Sequence, residues 1–111
     1  MHKLVGMSEL RWQDFEKVEL RAGTIVKAEP FPEARNPAYI LHIDLGETLG
    51  IKKSSAQITD HYSTDDLLGK RVICVTNFPE KQIGRIKSQV LVTGFDDGTG
   101  QIVLASIDKT V

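Results

Sequence analysis

Two short stretches hold most of the groups in this chain that could act on an anion. In the first, Lys52, Lys53, Ser54, Ser55 and Gln57 stand close together with no carboxylate among them. In the second, Lys81, Arg85, Lys87, Ser88 and Gln89 share one short segment. Asn36 and Asn77 add two amides beside prolines, in Asn36-Pro37 and Asn77-Phe78-Pro79. Ammonium, guanidinium, hydroxyl and amide groups are the set that contacts phosphate oxygens, sugar hydroxyls and base edges. The chemistry they imply is binding, not bond-making. Lysines on an exposed edge strand can also serve only to prevent aggregation. Ser54, Ser55 and Gln57 give no such protection, so the first stretch reads as a contact surface.

No catalytic set can be assembled, and no cofactor or metal is expected. The histidines His2, His42 and His61 show neither HxxxH nor HExxH spacing, and Cys74 is the only cysteine. A structural zinc site and a disulfide are therefore both unexpected. Phosphate-cradling GxxxxGK[ST] and GxSxG elbows are absent from the sequence. Asp96 and Asp97 precede Gly-Thr-Gly and read as a solvated turn instead of a carboxylate pair.

The chain has 111 residues and a net charge of −1. That length suits a single domain over 1–111 that buries about two-thirds of its unfolded surface without covalent staples. The charge is unevenly spread. Residues 1–51 carry six Lys/Arg against eight Asp/Glu (−2), residues 52–89 seven against four (+3), and residues 90–111 one against three (−2). A basic middle between acidic ends fits a local anion-facing surface on a neutral body. The start, Met-His-Lys-Leu-Val-Gly-Met-Ser, lacks the apolar core of a signal peptide, and no run is apolar enough to span a bilayer. With a lone cysteine, this leads us to expect a cytoplasmic protein without membrane insertion.

These groups need elements to position them. Residues 8–20 place Trp12, Phe15 and Val18 on one helical stripe, with Ser8 as a candidate cap. That helix either packs over one end of a sheet or offers Trp12 and Phe15 to a subunit interface. Arg21–Glu29 begins the β part, with Gly23 where a strand bends or meets another closely. Tyr39, Leu41, Ile43 and Leu45 alternate with Ile40, His42 and Asp44, predicting an antiparallel strand with one wet face. Gly46 and Gly50 bracket a turn, and residues 51–58 form the next strand. Thr64 to Gly69 carries a capping Thr64, two early acids and a terminal glycine, which predicts a one- or two-turn helix. Val72–Phe78 and Val90–Phe95 are β-rich runs joined by a bent connector, with Cys74 as core filler. Residues 96–100 turn into a closing strand over 101–107. Short strands with a small helix between the third and fourth predict an all-β, five-stranded Greek-key barrel, the OB-fold, spanning about 21–107.

Several motifs carry a closer likeness. Arg21-x-Gly23-Thr-Ile-Val-Lys-Ala-Glu, Asn36-Pro37-Ala38, Lys53-Ser54-Ser55-Ala56-Gln57-Ile58-Thr59, Asn77-Phe78-Pro79 and Lys87-Ser88-Gln89-Val90-Leu91-Val92 resemble the tRNA-binding-domain family, in order and from about Phe15 to Ile107. The family includes the C-terminal domain of some methionyl-tRNA synthetases and small dimeric members that stand alone. The resemblance implies an OB-fold barrel, a homodimer and tRNA binding without sequence specificity, with Asn36, Lys53, Ser54, Ser55, Asn77, Lys87 and Ser88 on the RNA face. Stand-alone members are also described as export-related chaperones of unfolded polypeptide. The chain departs from the pattern where synthetase-type members carry Ser-Gln-Gly-Met, having Ser88-Gln89-Val90-Leu91 instead, and Glu80 follows Phe78-Pro79 where a second proline and a basic residue are common. The tail after Ile107 is also shorter than usual.

The expected mode is electrostatic. Lys52, Lys53, Lys81, Arg85 and Lys87 would neutralise phosphates, while Ser54, Ser55, Gln57, Asn77, Ser88 and Gln89 would fix the backbone or 2′-hydroxyls. Aromatic residues make up only 6% of the chain, leaving Tyr39, Tyr62 and Phe78 as stacking candidates. The rival expectation is a groove for extended polypeptide built from Phe31, Phe78, Ile83 and Ile86.

Overall fold

The fold was obtained as a computed structural model, which describes residues 9–111. The candidate cap Ser8 and His2 lie outside the described residues. Strands β1 (Leu20–Pro30), β2 (Tyr39–Asp44), β3 (Ile51–Ala56), β4 (Arg71–Val75) and β7 (Leu91–Val92) form one antiparallel sheet in the order β3-β2-β1-β4-β7. Two hairpins are added to it, β5 (Lys81–Ile83) with β6 (Ile86–Ser88), and β8 (Gly94–Asp96) with β9 (Ile102–Leu104). The sheet curls into a nearly closed five-stranded barrel, with the short helix α2 (Thr64–Leu67) between β3 and β4. This is the architecture that the strand pattern predicts.

β1 serves both halves of the barrel. Residues 20–24 run beside β4 and residues 24–30 beside β2, so that Thr24 has Asp44 on one side and Arg71 on the other. The ladder slips between Ile25 and Lys27, and an extra residue of this kind bends and twists a strand. Gly23 is the close approach that its position suggests: a Cβ there would lie 2.5 Å from Ile43 Cγ2 and 2.8 Å from Leu45 Cδ2. The loop after α2 is stitched to the slip, because Gly69 N–H donates to Ile25 O (2.8 Å) and Ile25 N–H to Lys70 O (2.9 Å).

Ile25, Leu41, Ile43, Leu67, Val72 and Cys74 are fully buried at the centre of the barrel. Burial pushes the Cys74 thiol up to about 11, so it acts as core filler. A smaller cluster of Phe31, Ile40 and Ile86 lies on the other face of β2. The face expected to be wet is therefore only partly so: Ile40 is covered, His42 is half-buried and Asp44 is exposed. The cover is the β5–β6 hairpin, which forms where the sequence predicts a bent connector. Gly84 allows its tight turn, with φ +55°.

Other expectations shift at their edges. α1 is only Trp12–Glu16, buries no residue, and has no side-chain cap at Arg11. Trp12 is 69% and Phe15 44% exposed, so within this chain the helix does not pack on the sheet. The strand beginning at Leu20 takes the residues that would have lengthened it. The cap of α2 is Ser63, not Thr64: Ser63 Oγ accepts from Asp66 N–H, and Asp66 Oδ2 accepts from Ser63 N–H. This reciprocal pair is the capping box. β4 stops at Val75, before Phe78, and the 90–95 run breaks at Thr93 into β7 and β8.

Candidate nucleic-acid interface

β3 is an edge strand of the main sheet, and its outer N–H and C=O groups need partners. The segment after β6 supplies them through a mixture of backbone and side chain. Lys53 N–H donates to Gln89 Oε1 (3.0 Å) and Gln89 N–H donates to Lys53 O (2.8 Å). Ser55 N–H donates to Ser88 Oγ (3.0 Å). This seam draws together the two donor-rich stretches that lie far apart in the sequence. Gln89 Nε2 also donates to Glu80 Oε2 (3.1 Å), tying the approach to β5 into the same network.

Above the seam lies a groove of about 740 Å³. One wall runs from Phe78 through Ile83, and the other consists of Ser54, Ser55 and residues 88–91. Phe78, at 57% exposure, presents its ring to the groove. The other stacking candidates are committed elsewhere. Tyr39 Oη donates to Tyr62 O (2.8 Å), Tyr62 Oη accepts from Leu104 N–H (3.0 Å), and both rings pack against the main core.

The donors expected in the site fall into distinct groups. Lys53, Lys81 and Lys87 are exposed and form no ion pair among the described residues. Lys81 lines the groove, Lys53 is in the seam, and Lys87 precedes it. Ser54 is buried at the groove floor, Ser55 and Ser88 are half-buried, and Gln57 is exposed just past β3. Lys52 is placed differently. It pairs with core-facing Ile43 while Lys53 pairs with His42, so alternation turns the two lysines to opposite faces.

Arg85, Asn36 and Asn77 stand apart from the groove. Arg85 Nε donates to Glu33 Oε2 (2.6 Å), and its guanidinium lies 5.9 Å from the Phe31 ring centre. That bond holds Glu33 below the usual carboxylate range and raises Arg85 further. It fastens the hairpin tip to the loop that carries exposed Asn36. Asn77 is engaged at both ends of its amide, accepting from Glu19 N–H (3.0 Å) and donating to Lys17 O (2.6 Å). It pins the segment after α1 to the end of β4.

Sequence reasoning missed a row of bases. Lys27, His42 and Lys53 are cross-strand neighbours on β1, β2 and β3 and share one face. Alternation had put His42 on a wet face, but only the register reveals the lysines beside it. Glu29 offsets part of this row, with Oε2 2.7 Å from His42 Nε2 and 3.8 Å from Lys27 Nζ. The hydrogen bond with His42 holds the Glu29 carboxyl below its ordinary range. Among the described residues, no three His, Cys, Asp or Glu side chains converge as a metal site, and no helix is long and apolar enough to cross a membrane.

Comparison with known proteins points to one family. A family model described as "Putative tRNA binding domain" matches residues 20–111. The chain is similar to the methionine–tRNA ligase of Thermococcus onnurineus, 33% identical over 102 residues, covering 92% of this chain and 13% of that protein. It is also similar to the methionine–tRNA ligase of Halalkalibacterium halodurans, 38% identical over 103 residues, covering 90% of this chain and 14% of that protein. The chain thus spans only about one-seventh of these curated relatives. Among solved structures, the chaperone CsaA from Bacillus anthracis matches with 44% identity and a TM-score of 0.87, covering 94% of each chain. The CsaA chaperone protein from Picrophilus torridus matches with 43% identity and a TM-score of 0.87, covering 93% of this chain and 94% of that one.

Proposed function

The chain belongs to the tRNA-binding-domain family, and on that premise we propose that it is a non-catalytic protein that holds structured RNA, tRNA foremost, mainly through phosphate and sugar contacts. The observation that carries this reading is the seam between β3 and residues 88–89, which draws the two donor-rich stretches together beside one groove, with Lys81 in its lining, Lys53 in the seam and Lys87 next to Ser88 on the opposite face of the hairpin from Lys81. In this reading the three lysines neutralise phosphates, and Lys52 and Arg85 add field from further away. Ser55, Ser88, Gln57 and Asn36 reach ribose hydroxyls and backbone oxygens. Ser54, Gln89 and Asn77 hold the shape that presents those groups. Phe78 offers one stacking face, so base reading is slight. The place of work is the cytoplasm.

We further assign a second copy of this chain to the apolar row on the outer face of the barrel. Leu20, Val75 and Leu91 are cross-strand neighbours on β1, β4 and β7; Leu20 and Leu91 are each 49% exposed on either side of a covered Val75, and Leu91 also borders the groove. Exposed Val18, Phe15 and Trp12 lead into this row along the chain. A homodimer formed there would double the charged face. A monomer in sedimentation at micromolar concentration would contradict the assignment.

A second reading, binding of extended polypeptide, is favoured by the apolar lining of the same groove, where Phe78, Pro79 and Ile83 stand opposite the serines and Leu91 adds an apolar side chain on the serines' own wall. The solved CsaA structures are described as chaperones. The readings separate by charge reversal. A gel shift against total tRNA, run beside a denatured-protein client, compares the wild type with the double variant Lys53→Glu, Lys87→Glu. RNA binding is expected to fall by at least about tenfold while client binding persists. Unchanged RNA binding overturns the leading reading. Joint loss of both activities shows that they share one surface.

A further inference from the structure

We propose that a second anion site, separate from the groove, takes a phosphate group on Lys70, Arg71, Tyr62 and Ser106. The pocket has a volume of about 290 Å³ and lies where β4 begins and β9 ends, with Leu104 and Ile107 completing its lining. The groove is at the other end of β4, where Phe78 and Pro79 leave the sheet. β4 alone, from Arg71 to Val75, spans about 13 Å at strand rise, and the groove begins beyond it, so one phosphate cannot serve both places.

Several donors converge here and no carboxylate lines the pocket. Arg71 Nε is buried and has no hydrogen-bond partner among the described residues. A buried guanidinium N–H without an acceptor is costly, and an oxyanion is the acceptor that best satisfies it. Lys70 Nζ is 5.6 Å from the Tyr62 ring centre and forms no ion pair among the described residues. Tyr62 Oη already accepts from Leu104 N–H, which leaves its own proton free to donate. Ser106 adds a hydroxyl.

Two nearby acids have partners of their own. Asp44 is on Arg71's register row with Thr24 between them, and its Oδ1 accepts from Gly46 N–H. Asp66 belongs to the capping box with Ser63, whose N–H and hydroxyl hold its carboxyl below the ordinary range, with the Lys70 charge adding to this. Val111 borders a neighbouring cleft with Arg71 but forms no ion pair with it. An ammonium, a forked guanidinium and two hydroxyls arranged around a small polar pocket match the several oxygens of a phosphate.

The phosphate can come from the backbone of a bound RNA or from a small phosphorylated molecule, and the test distinguishes them. Isotope-labelled full-length protein is titrated with inorganic phosphate at constant ionic strength, with chloride as the control, while amide shifts are followed by NMR. The expected result is saturable shifts at Lys70, Arg71, Leu104 and Ser106 that chloride does not produce. Lys70→Gln and Ser106→Ala should each weaken the phosphate affinity several-fold with an unchanged circular dichroism spectrum. Arg71→Lys should also weaken it, because the charge remains but the fork is lost. If Lys70→Gln also lowers tRNA affinity, the phosphate belongs to the RNA backbone. If tRNA affinity is untouched while inorganic phosphate still saturates the site, the ligand is a small phosphorylated molecule. Linear shifts, equal shifts with chloride, or shifts spread over Lys53, Lys81 and Lys87 would mean an adventitious ion only and overturn the proposal. No RNA enters the first titration, so its failure leaves the reading of the groove standing.

Discussion

Along β1 the barrel is joined on both sides by continuous backbone ladders, to β2 over residues 24–30 and to β4 over residues 20–24. Across the β3 edge the closure is made differently, by the amide of Gln89 and the hydroxyl of Ser88 reaching two backbone N–H groups, with one backbone bond between them. A ladder asks only for residues that suit a pleated surface, and behind it lie Ile25, Leu41, Ile43, Val72 and Cys74 with no exposed area. A seam built from side chains asks for particular polar groups and leaves a groove beside it. The two regions divide the labour. The ladder half holds the shape, and the seam half offers the surface, with some polar residues occupied in keeping it closed.

The largest effect should come from the ladder half. Leu41→Ala removes a fully buried side chain from the main core and is expected to cost about 2–5 kcal/mol in chemical denaturation, leaving the RNA affinity of the folded fraction unchanged. A parallel loss of affinity would show that the division is false. At the seam, Gln89→Ala should cost only about 0.5–1.5 kcal/mol, because water can reach an exposed Lys53 N–H. It should nevertheless weaken tRNA binding several-fold by letting the groove wall drift from Glu80 and Lys53. Wild-type RNA affinity in this variant would mean that the seam has no part in presenting the cations.

The smallest effect concerns the β8–β9 turn, outside both regions. Asp97 accepts from Thr99 Oγ1 (2.7 Å) and Thr99 N–H (2.8 Å), and its other oxygen lies 2.7 Å from His61 Nε2. These contacts, the Thr99 hydroxyl first, hold its carboxyl well below the ordinary range. A carboxyl lowered on folding adds stability above its unfolded pKa of about 3.9 and loses it as the pH falls through the folded value. The melting temperature of Asp97→Asn should therefore trail the wild type most at neutral pH, with the gap closing below about pH 4. A gap independent of pH would assign the effect to shape and not to charge.

The ladder half was legible in the residues. Period-two alternation over 39–45, the glycine at 23 and the β-branched run at 72–75 fix strands whose outcome depends on local pattern. The helix between the third and fourth strands was legible too, although its cap is one residue earlier, since Ser63 and Thr64 are both competent and only the Asp66 contact decides between them. The seam half was legible only as a list of donors. Which donors face a ligand depends on long-range register: Lys52 and Lys53 part because one pairs with Ile43 and the other with His42. Asn77 reads like a ligand residue by type, yet its amide is held by Lys17 and Glu19, a contact no local pattern encodes. The extent of α1 was overestimated because its apolar stripe points away from this chain's core.

The central claim is that a few cations around the seam bind RNA by displacing counterions. It is tested most directly by measuring tRNA affinity over a range of salt concentrations for the wild type and for Lys87→Gln. If about four phosphates are neutralised, log affinity should fall against log salt with a slope of about −3 to −4, and the variant should lose about one from that slope. A wild-type isotherm that does not move with salt, or a variant slope equal to the wild type's, would contradict it.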